Sequence, residues 1–436
     1  MSARTLAGLL RARADARADE VALRTRDGEG WRERTWATFW AGARRAGAGL
    51  WARGVRPGDH VLMLVPEVEA AILTLFGAWS IGAVPVQIGL PLRLTDVAGV
   101  LGHLEETARR LDASALVIGA ALAAFAPASA AIPVHVAESL LDAEPGPELP
   151  DPESRPAGAA LIQLTSGSTG RRAGGRLSHD RVLHHMESMS RALPSRADSV
   201  AVSWLPLHHD MGLLGGLLFP FYNGFVAHMM SPMEFRGSPF AWLEAMSTTG
   251  ATICAAPPSA YSMLLRLAPR AIAAGLDLSR WECAMIGAEP ISAALLRRFA
   301  EAFAPCGFRP EAFFPVYGLA EATVAVTFPG LLAPTRVDRV DRRAIEGERR
   351  ATPGERAGGV RRRRSADPGD RDRDRRRRRG AALERRIGEI RVQAPSMMRA
   401  TTTTARRARR RWSTAGSAPA TSAMSPTASS SSPVGS

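Results

Sequence analysis

Leu161-Ile162-Gln163-Leu164-Thr165-Ser166-Gly167-Ser168-Thr169-Gly170 is an apolar run that ends in small and hydroxylated residues. Glycines allow the backbone to turn its N–H groups inward, and the hydroxyls add donors, so the run suits the wrapping of a polyphosphate. It is not a Walker A loop, because G-x-x-x-x-G-K-[ST] is absent. A plain surface loop has the same composition, so the run alone leaves both readings open. About 150 residues further on stands Tyr317-Gly318-Leu319-Ala320-Glu321-Ala322-Thr323. It sets one carboxylate and one hydroxyl beside an aromatic ring, which suits a magnesium–nucleotide site. Glu321 taken alone also fits a solvated carboxylate at a helix start.

Around these segments the chain alternates helical periodicity with short apolar runs, up to about residue 350. Residues 36–53 have helical spacing, and Gly58-Asp59 turns into the strand-like run His60 to Val65. Glu67 to Trp79 predicts a helix, Ala83 to Val86 a strand, and the Pro, Ala and Glu content of 137–159 a linker. Ala251 to Ala256 and Cys283 to Ile286 predict short buried strands, each ending at a loop. Such alternation predicts an α/β architecture with mainly parallel sheets and ligands at the carboxyl ends of strands. Thr165 follows such a run at Leu161 to Leu164, and Gly287 follows one at Cys283 to Ile286.

At 436 residues the chain is long for one domain and able to bury a large core. Cys254, Cys283 and Cys306 stand in apolar settings without metal-ligand spacing, which predicts buried thiols. No apolar run of signal-peptide type opens the sequence, and a cytoplasmic protein is expected. The uncharged stretches 70–92 and 211–233 contain Pro85, Pro91, Pro220 and Pro232, so buried helix–strand pieces are expected and no stable membrane insertion. All 56 basic residues are arginine.

The two segments together resemble the adenylate-forming superfamily: acyl-CoA synthetases, luciferases, peptide-synthetase adenylation domains and, most of all, fatty acyl-AMP ligases. Ser203-Trp204-Leu205-Pro206-Leu207-His208-His209-Asp210-Met211-Gly212-Leu213 is similar to the histidine segment of those ligases, with His208 where tyrosine is more usual. Ser231-Pro232-Met233, Trp242-Leu243-Glu244-Ala245, Gly287-Ala288-Glu289-Pro290 and the run Ala302 to Phe308 extend the resemblance over roughly residues 5–350. It implies the large N-terminal domain of an adenylate-forming enzyme, with parallel-sheet subdomains, helices and a smaller β subdomain, the C-terminal domain missing. The expected division is 1–355 for that AMP-binding domain and 356–436 for an arginine-rich, then Ser/Thr/Ala-rich tail.

The activity so implied is activation of a carboxylic acid by ATP and Mg2+, giving an acyl-adenylate and pyrophosphate. Positioning and charge neutralisation then carry most of the catalysis. By resemblance, Thr165, Ser166, Gly167, Ser168, Thr169 and Gly170 hold the β- and γ-phosphates. Gly287, Ala288, Glu289 and Pro290, with Tyr317 and Gly318, flank the adenine. Glu321 binds magnesium, Thr323 contacts the α-phosphate, and His209 lies near the carboxylate and shapes the acyl pocket. A structural histidine is the rival reading for His209; for His179, His184 and His185 cap or surface roles suffice. The apolar stretch Met211 to Met233 suits a fatty acyl tunnel and suits core packing equally well.

Ala333 to Arg339 resembles an insertion that marks fatty acyl-AMP ligases, which implies a fatty acid substrate and an acyl carrier protein or polyketide synthase module as acceptor. An acyl-CoA synthetase or a peptide-synthetase adenylation domain is the alternative. A catalytically impaired nucleotide- or acyl-binding protein is the alternative from another class.

Two departures from the family pattern bear on activity. Ala173 stands where the family has a phosphate-binding lysine, and the fork of Arg171 or Arg172 is no simple replacement for a compact ammonium. Residues 361–411 hold 20 arginines and six acidic residues, a surplus equal to the whole chain's net charge of +14. At face value this is a polybasic tail for nucleic acid or anionic membrane. Codon degeneracy offers another account. Read one base later, Arg171-Arg172-Ala173 can come from codons for Pro-Lys-Gly, and Ser413 to Ser436 can come from a string containing the family's Thr-Gly-Asp segment. Reading-frame slips, no nucleic-acid role and a greatly reduced adenylation rate are therefore expected.

Overall fold

The computed structural model describes residues 3–28, 30–89, 97–125, 132–155, 158–164, 174–193, 195–348, 351, 353–360 and 392–398. Helix α1 (Leu6–Ala16) starts at Thr5, whose hydroxyl accepts the Gly8 N–H, and leads into the antiparallel pair β1 (Val21–Asp27) and β2 (Gly30–Thr35). Helix α2 (Trp36–Ala52) is capped by Thr35, as the hydroxyl preference at this position predicts. Then come β3 (His60–Leu64), α3 (Val68–Ser80), β4 (Val84–Gln87), α4 (Val97–Leu111), β5 (Ala113–Ile118) and β6 (Val134–Val136). Strands β3 to β6 form a parallel sheet in the order β4-β3-β5-β6.

A hairpin, β7 (Ala159–Leu164) with β8 (Gly174–Ser178), feeds helix α5 (His179–Ala192). Beyond it β9 (Val200–Ser203), β10 (Val226–Met229), β11 (Ile253–Ala256), β12 (Cys283–Ile286) and β13 (Phe313–Pro315) complete a larger sheet. Its order is β13-β12-β11-β9-β10-β1-β2, parallel except for β2 at one edge. The expected α/β alternation is therefore present. Where the resemblance implies a smaller β subdomain, the described residues hold two separate two-stranded antiparallel sheets: the β7–β8 hairpin, and β14 (Val337–Val340) with β15 (Pro353–Val360).

Helix α3 is buried along every residue from Ala70 to Ser80, as an all-round apolar helix must be in a layered fold. At ~1.5 Å per residue its length is ~20 Å, short of the ~30 Å of a bilayer core. Among the described residues no helix is long and apolar enough to cross a membrane. The stretch 211–233 likewise divides into a π-helical segment, Met211–Leu218, a short helix, Phe219–Asn223, and strand β10. Cys254, Cys283 and Cys306 are free and buried.

Small residues bring α2 and α3 together. A Cβ on Gly77 would stand 2.6 Å from the Ala46 Cβ and 2.8 Å from the Gly47 backbone nitrogen, so neither helix has room to yield. Gly77→Ala is expected to cost about 1–3 kcal/mol by overpacking. The readout is a lower urea midpoint at unchanged m value; an unchanged midpoint would mean that the helix pair is looser than this packing.

The 137–159 stretch, expected to be a linker, is tied down on both sides. Thr5 Oγ1 donates to Pro152 O (2.7 Å), the Arg4 N–H to Glu153 Oε2 (3.0 Å), and Arg155 Nη1 to Pro57 O (2.7 Å). Its carbonyls and carboxylates answer donors at the entry to α1, and its own guanidinium answers the turn before β3. Composition revealed the irregular backbone but not these partners.

Candidate active site

Four chain segments leave the carboxyl ends of adjacent parallel strands, the place where α/β sheets take their ligands. After β9 the backbone runs from Trp204 to Asp210, whose carboxylate accepts the Met211 N–H (2.7 Å) at the start of the π-helical segment. Such π-turns concentrate at functional sites. Gly212 and Gly216 allow the segment to lie against its own strand: a Cβ on Gly212 would stand 2.3 Å from Pro206 O, and one on Gly216 2.4 Å from Ser203 Oγ. The His209 side chain is 67% exposed, with Nδ1 4.0 Å from Asp210 Oδ1, so its imidazole is open to a ligand. Burial pushes the Asp210 carboxyl above its ordinary value and nearby Glu321 pushes the same way, while the Met211 N–H and His209 pull it down. Asp210 and Glu321 are thus near enough for their charges to repel.

After β12 comes Gly287-Ala288-Glu289-Pro290. Gly287 is needed because a Cβ there would stand 2.8 Å from Val316 Cγ2 and 2.9 Å from Val316 O. Ala288 is held at φ +67°, a conformation that a side chain rarely adopts without compensation. Glu289 turns to the first turn of the helix Pro258–Leu264 that follows β11, where its two oxygens accept the Ser259 N–H and hydroxyl, both at 2.9 Å. Its carboxylate secures this edge of the cleft.

After β13, Val316 donates to Ile286 O (2.9 Å) and Tyr317 pairs with Thr327 in an isolated antiparallel bridge. A Cβ on Gly318 would stand 1.7 Å from Val324 O, so only glycine fits this loop as folded. Thr323 sits at φ +75° and is fully buried, its hydroxyl donating to Ser396 O (2.6 Å). The Met398 N–H donates to Glu321 O (2.9 Å). Residues 392–398 therefore line the loop that carries Glu321 and Thr323. They also touch α5, where Arg181 donates to Met397 O.

Thr165 to Gly170, with Ala173, lie outside the described residues. The strands they join end at the cleft. Gln163, near the end of β7, donates from Nε2 to His208 O (2.5 Å), and Gly175, at the start of β8, abuts Met398, whose sulfur lies 2.7 Å from where a Cβ would be. The structure thus places His209 and Asp210, Gly287 to Pro290, and the loop of Tyr317, Glu321 and Thr323 after the carboxyl ends of neighbouring strands, with Asp210 within electrostatic reach of Glu321.

Three contributors were not singled out from sequence. Gln163 was legible only as the one polar residue in Leu161 to Leu164. Asp210 was visible as a neighbour of His209, but its partial burial was not. His185 accepts the Ala325 N–H through Nε2 (3.2 Å) in a buried contact and so anchors the Glu321 loop to α5. No local pattern pairs residues 140 positions apart. His185→Leu leaves that N–H unanswered, so a loss of about 1–3 kcal/mol is expected. Equal urea midpoints for variant and wild type would remove the anchor role.

Among the described residues no group of three or more His, Cys, Asp or Glu side chains converges on a metal position. Magnesium does not need one: it is usually held by one or two carboxylates, with water and substrate phosphates completing the shell. Glu321 with Asp210 nearby fits that donor set.

The family described as AMP-binding enzyme matches residues 10–400 of the chain. The long-chain-fatty-acid–AMP ligase FadD26 of Mycobacterium marinum is 34% identical over 354 residues, which is 78% of this chain and 60% of that protein. The medium-chain-fatty-acid–[acyl-carrier-protein] ligase JamA of Moorena producens is 40% identical over 168 residues, 38% of this chain and 28% of that one. Among solved structures, the fatty acyl-adenylate ligase from L. pneumophila in complex with acyl adenylate and pyrophosphate superposes with a TM-score of 0.78 at 27% identity. That match covers 92% of this chain and 70% of the other. The chain spans about 60% of the length of the FadD26 relatives it matches.

Proposed function

The chain belongs to the AMP-binding enzyme family, and we propose that it activates a fatty acid carboxylate with ATP, forming an acyl-adenylate and releasing pyrophosphate. The observation that carries this reading is convergence: the Glu321 loop and the His209–Asp210 segment follow strands of one parallel sheet, Asp210 feels the Glu321 charge, and Gln163 at the end of β7 donates to His208 O beside them. In the reaction a carboxylate oxygen of the acid attacks the α-phosphorus and pyrophosphate leaves. The roles proposed for this chain's residues are binding and orientation. The Thr165–Gly170 backbone and hydroxyls hold the β- and γ-phosphates, Glu321 holds magnesium with water and phosphate oxygens, and Tyr317, Gly318 and Gly287 to Pro290 flank the adenine. Magnesium, when bound, offsets the negative charge of the phosphates. His209, exposed in the cleft, orients the acid.

A fatty acid is favoured by the names of the relatives and by the buried apolar wall behind His209, from Leu213 to Phe221. Delivery to an acyl carrier protein rests on the likeness to JamA and on the segment Ala333 to Arg339. For Thr323 the proposed α-phosphate contact requires its hydroxyl to leave Ser396 O. A second reading, a protein that binds nucleotide or acyl chain with little turnover, is favoured by that engaged hydroxyl and by the absence of lysine from the sequence.

The test incubates the chain with α-labelled ATP, magnesium and fatty acids of graded length, and looks for labelled acyl-AMP. Coenzyme A and a phosphopantetheinylated carrier protein are then offered as acceptors. Adenylate formation above a Glu321→Ala control supports the reading. ATP binding with no adenylate at any chain length moves the assignment to the second.

A further inference from the structure

We propose a second anion site, at the opposite end of the β7–β8 hairpin from the cleft, which takes the phosphate group of a small molecule. The hairpin's far end and the turns before β3 and β4 enclose a cavity of about 290 Å³. Its wall includes Arg155, Arg176 and Ser178, together with Gly58, Gly82 and Gly158. The cleft lies at the other ends of the same strands. Gly89, just beyond β4, abuts the His208 ring, and Gln163 near the end of β7 donates to His208 O. Along β4 and β7 this is a separation of roughly 13–20 Å at ~3.3 Å per residue.

The donors in the cavity are only partly used. Ser178 is 6% exposed, yet its hydroxyl has no hydrogen-bond partner. It occupies the N-cap position of α5 without making the side-chain cap bond for which serine is favoured there. A buried hydroxyl left unanswered is costly, and an anion oxygen in the cavity would answer it beside the positive end of a 14-residue helix. Arg176 makes no ion pair among the described residues. Arg155 gives Nη1 to Pro57 O and lies over two turns whose glycines, Gly58 and Gly82, have φ of +95° and +73°. Among the described residues its guanidinium makes no other hydrogen bond. Two guanidinium forks and a hydroxyl match the several oxygens of a phosphate dianion better than the two of a carboxylate. Two acidic residues adjoin these elements. The Asp59 carboxylate accepts the Arg56 N–H, and Asp180 is exposed on the first turn of α5.

Calorimetric titration of the full chain with inorganic phosphate, pyrophosphate and 4′-phosphopantetheine, at constant ionic strength, tests the site. Each is compared between wild type, Arg176→Ala and Ser178→Ala. Arg176 is exposed and Ser178 makes no cap bond, so both variants are expected to fold, with near-UV circular dichroism as the check. At least one of the three probes is expected to bind each variant about tenfold more weakly or worse, a change of ~1.4 kcal/mol or more. Loss confined to phosphopantetheine identifies a phosphate carried on an organic group, and loss of inorganic phosphate identifies the free ion. Pyrophosphate binding that falls in Glu321→Ala but not in the two variants belongs to the cleft. If no probe loses affinity in either variant, the second site does not exist.

Discussion

Lowering the pH from about 7 to about 4.5 is expected to strip several kcal/mol from the fold, through two buried histidines. His179 and His228 are 3% and 1% exposed, and burial lowers both from the ordinary value of 6.5 to about 4. Each is also held as a neutral acceptor. His179 Nδ1 accepts the Leu6 N–H (3.3 Å), and His228 Nε2 accepts from Arg24 Nη1 (3.2 Å). Protonation at either nitrogen turns an acceptor into a second donor facing a donor. The unfolded chain takes up these protons near pH 6.5 and the native one only near 4, so the stability is intact above pH 6.5. It falls between the two values by ~1.4 kcal/mol per unit per histidine, to a total of ~3 kcal/mol each. Half-buried His135 acts in the same direction, while Asp210, raised by burial, opposes it over its own window above 3.8. The measurement is the urea midpoint at several pH values for wild type, His179→Gln and His228→Gln. Each variant should show a shallower pH slope, and a wild-type slope that both share would place the proton uptake elsewhere.

Replacing Glu321 by alanine is expected to lower acyl-adenylate formation ~10²–10³-fold, the loss typical of a charge-stabilising group at the reacting phosphates. The carboxylate is positioned by its own backbone. Gly318, Thr323 at φ +75°, the Met398 N–H on Glu321 O and His185 on Ala325 N–H fix the loop from four sides. Removing the side chain should leave that frame standing, so the urea midpoint should barely move while the rate collapses. Glu321→Gln, which keeps the shape and loses the charge, should fall nearly as far; a variant near wild-type rate would shift the metal to other groups. Gly318→Ala separates frame from charge. Its methyl would meet Val324 O, displacing the loop and lowering both midpoint and rate.

Some of this was local enough to be legible in the chain. The periodicity of 36–53 and the apolar runs 60–65, 251–256 and 283–286 became α2, β3, β11 and β12 because each buries its own apolar face. Gly287 was legible as following a strand, and turns at carboxyl ends of parallel strands are where a sheet gathers ligands; the strand before Tyr317 was supplied by the structure. Thr165 to Gly170 was read by type of residue, and its phosphate role remains a proposal.

The sequence by itself determined the α/β alternation, the turn glycines and which polar residues follow strands, since those depend on side chains a few positions apart. Packing alone settled that Asp210 is half-buried within reach of the Glu321 charge, that His185 and Met398 hold the Glu321 loop, that Thr323 donates to Ser396 O, and that Ser178 has an unanswered hydroxyl. Those facts depend on groups brought together by packing from distant parts of the chain, and neither propensity nor periodicity records which faces will meet.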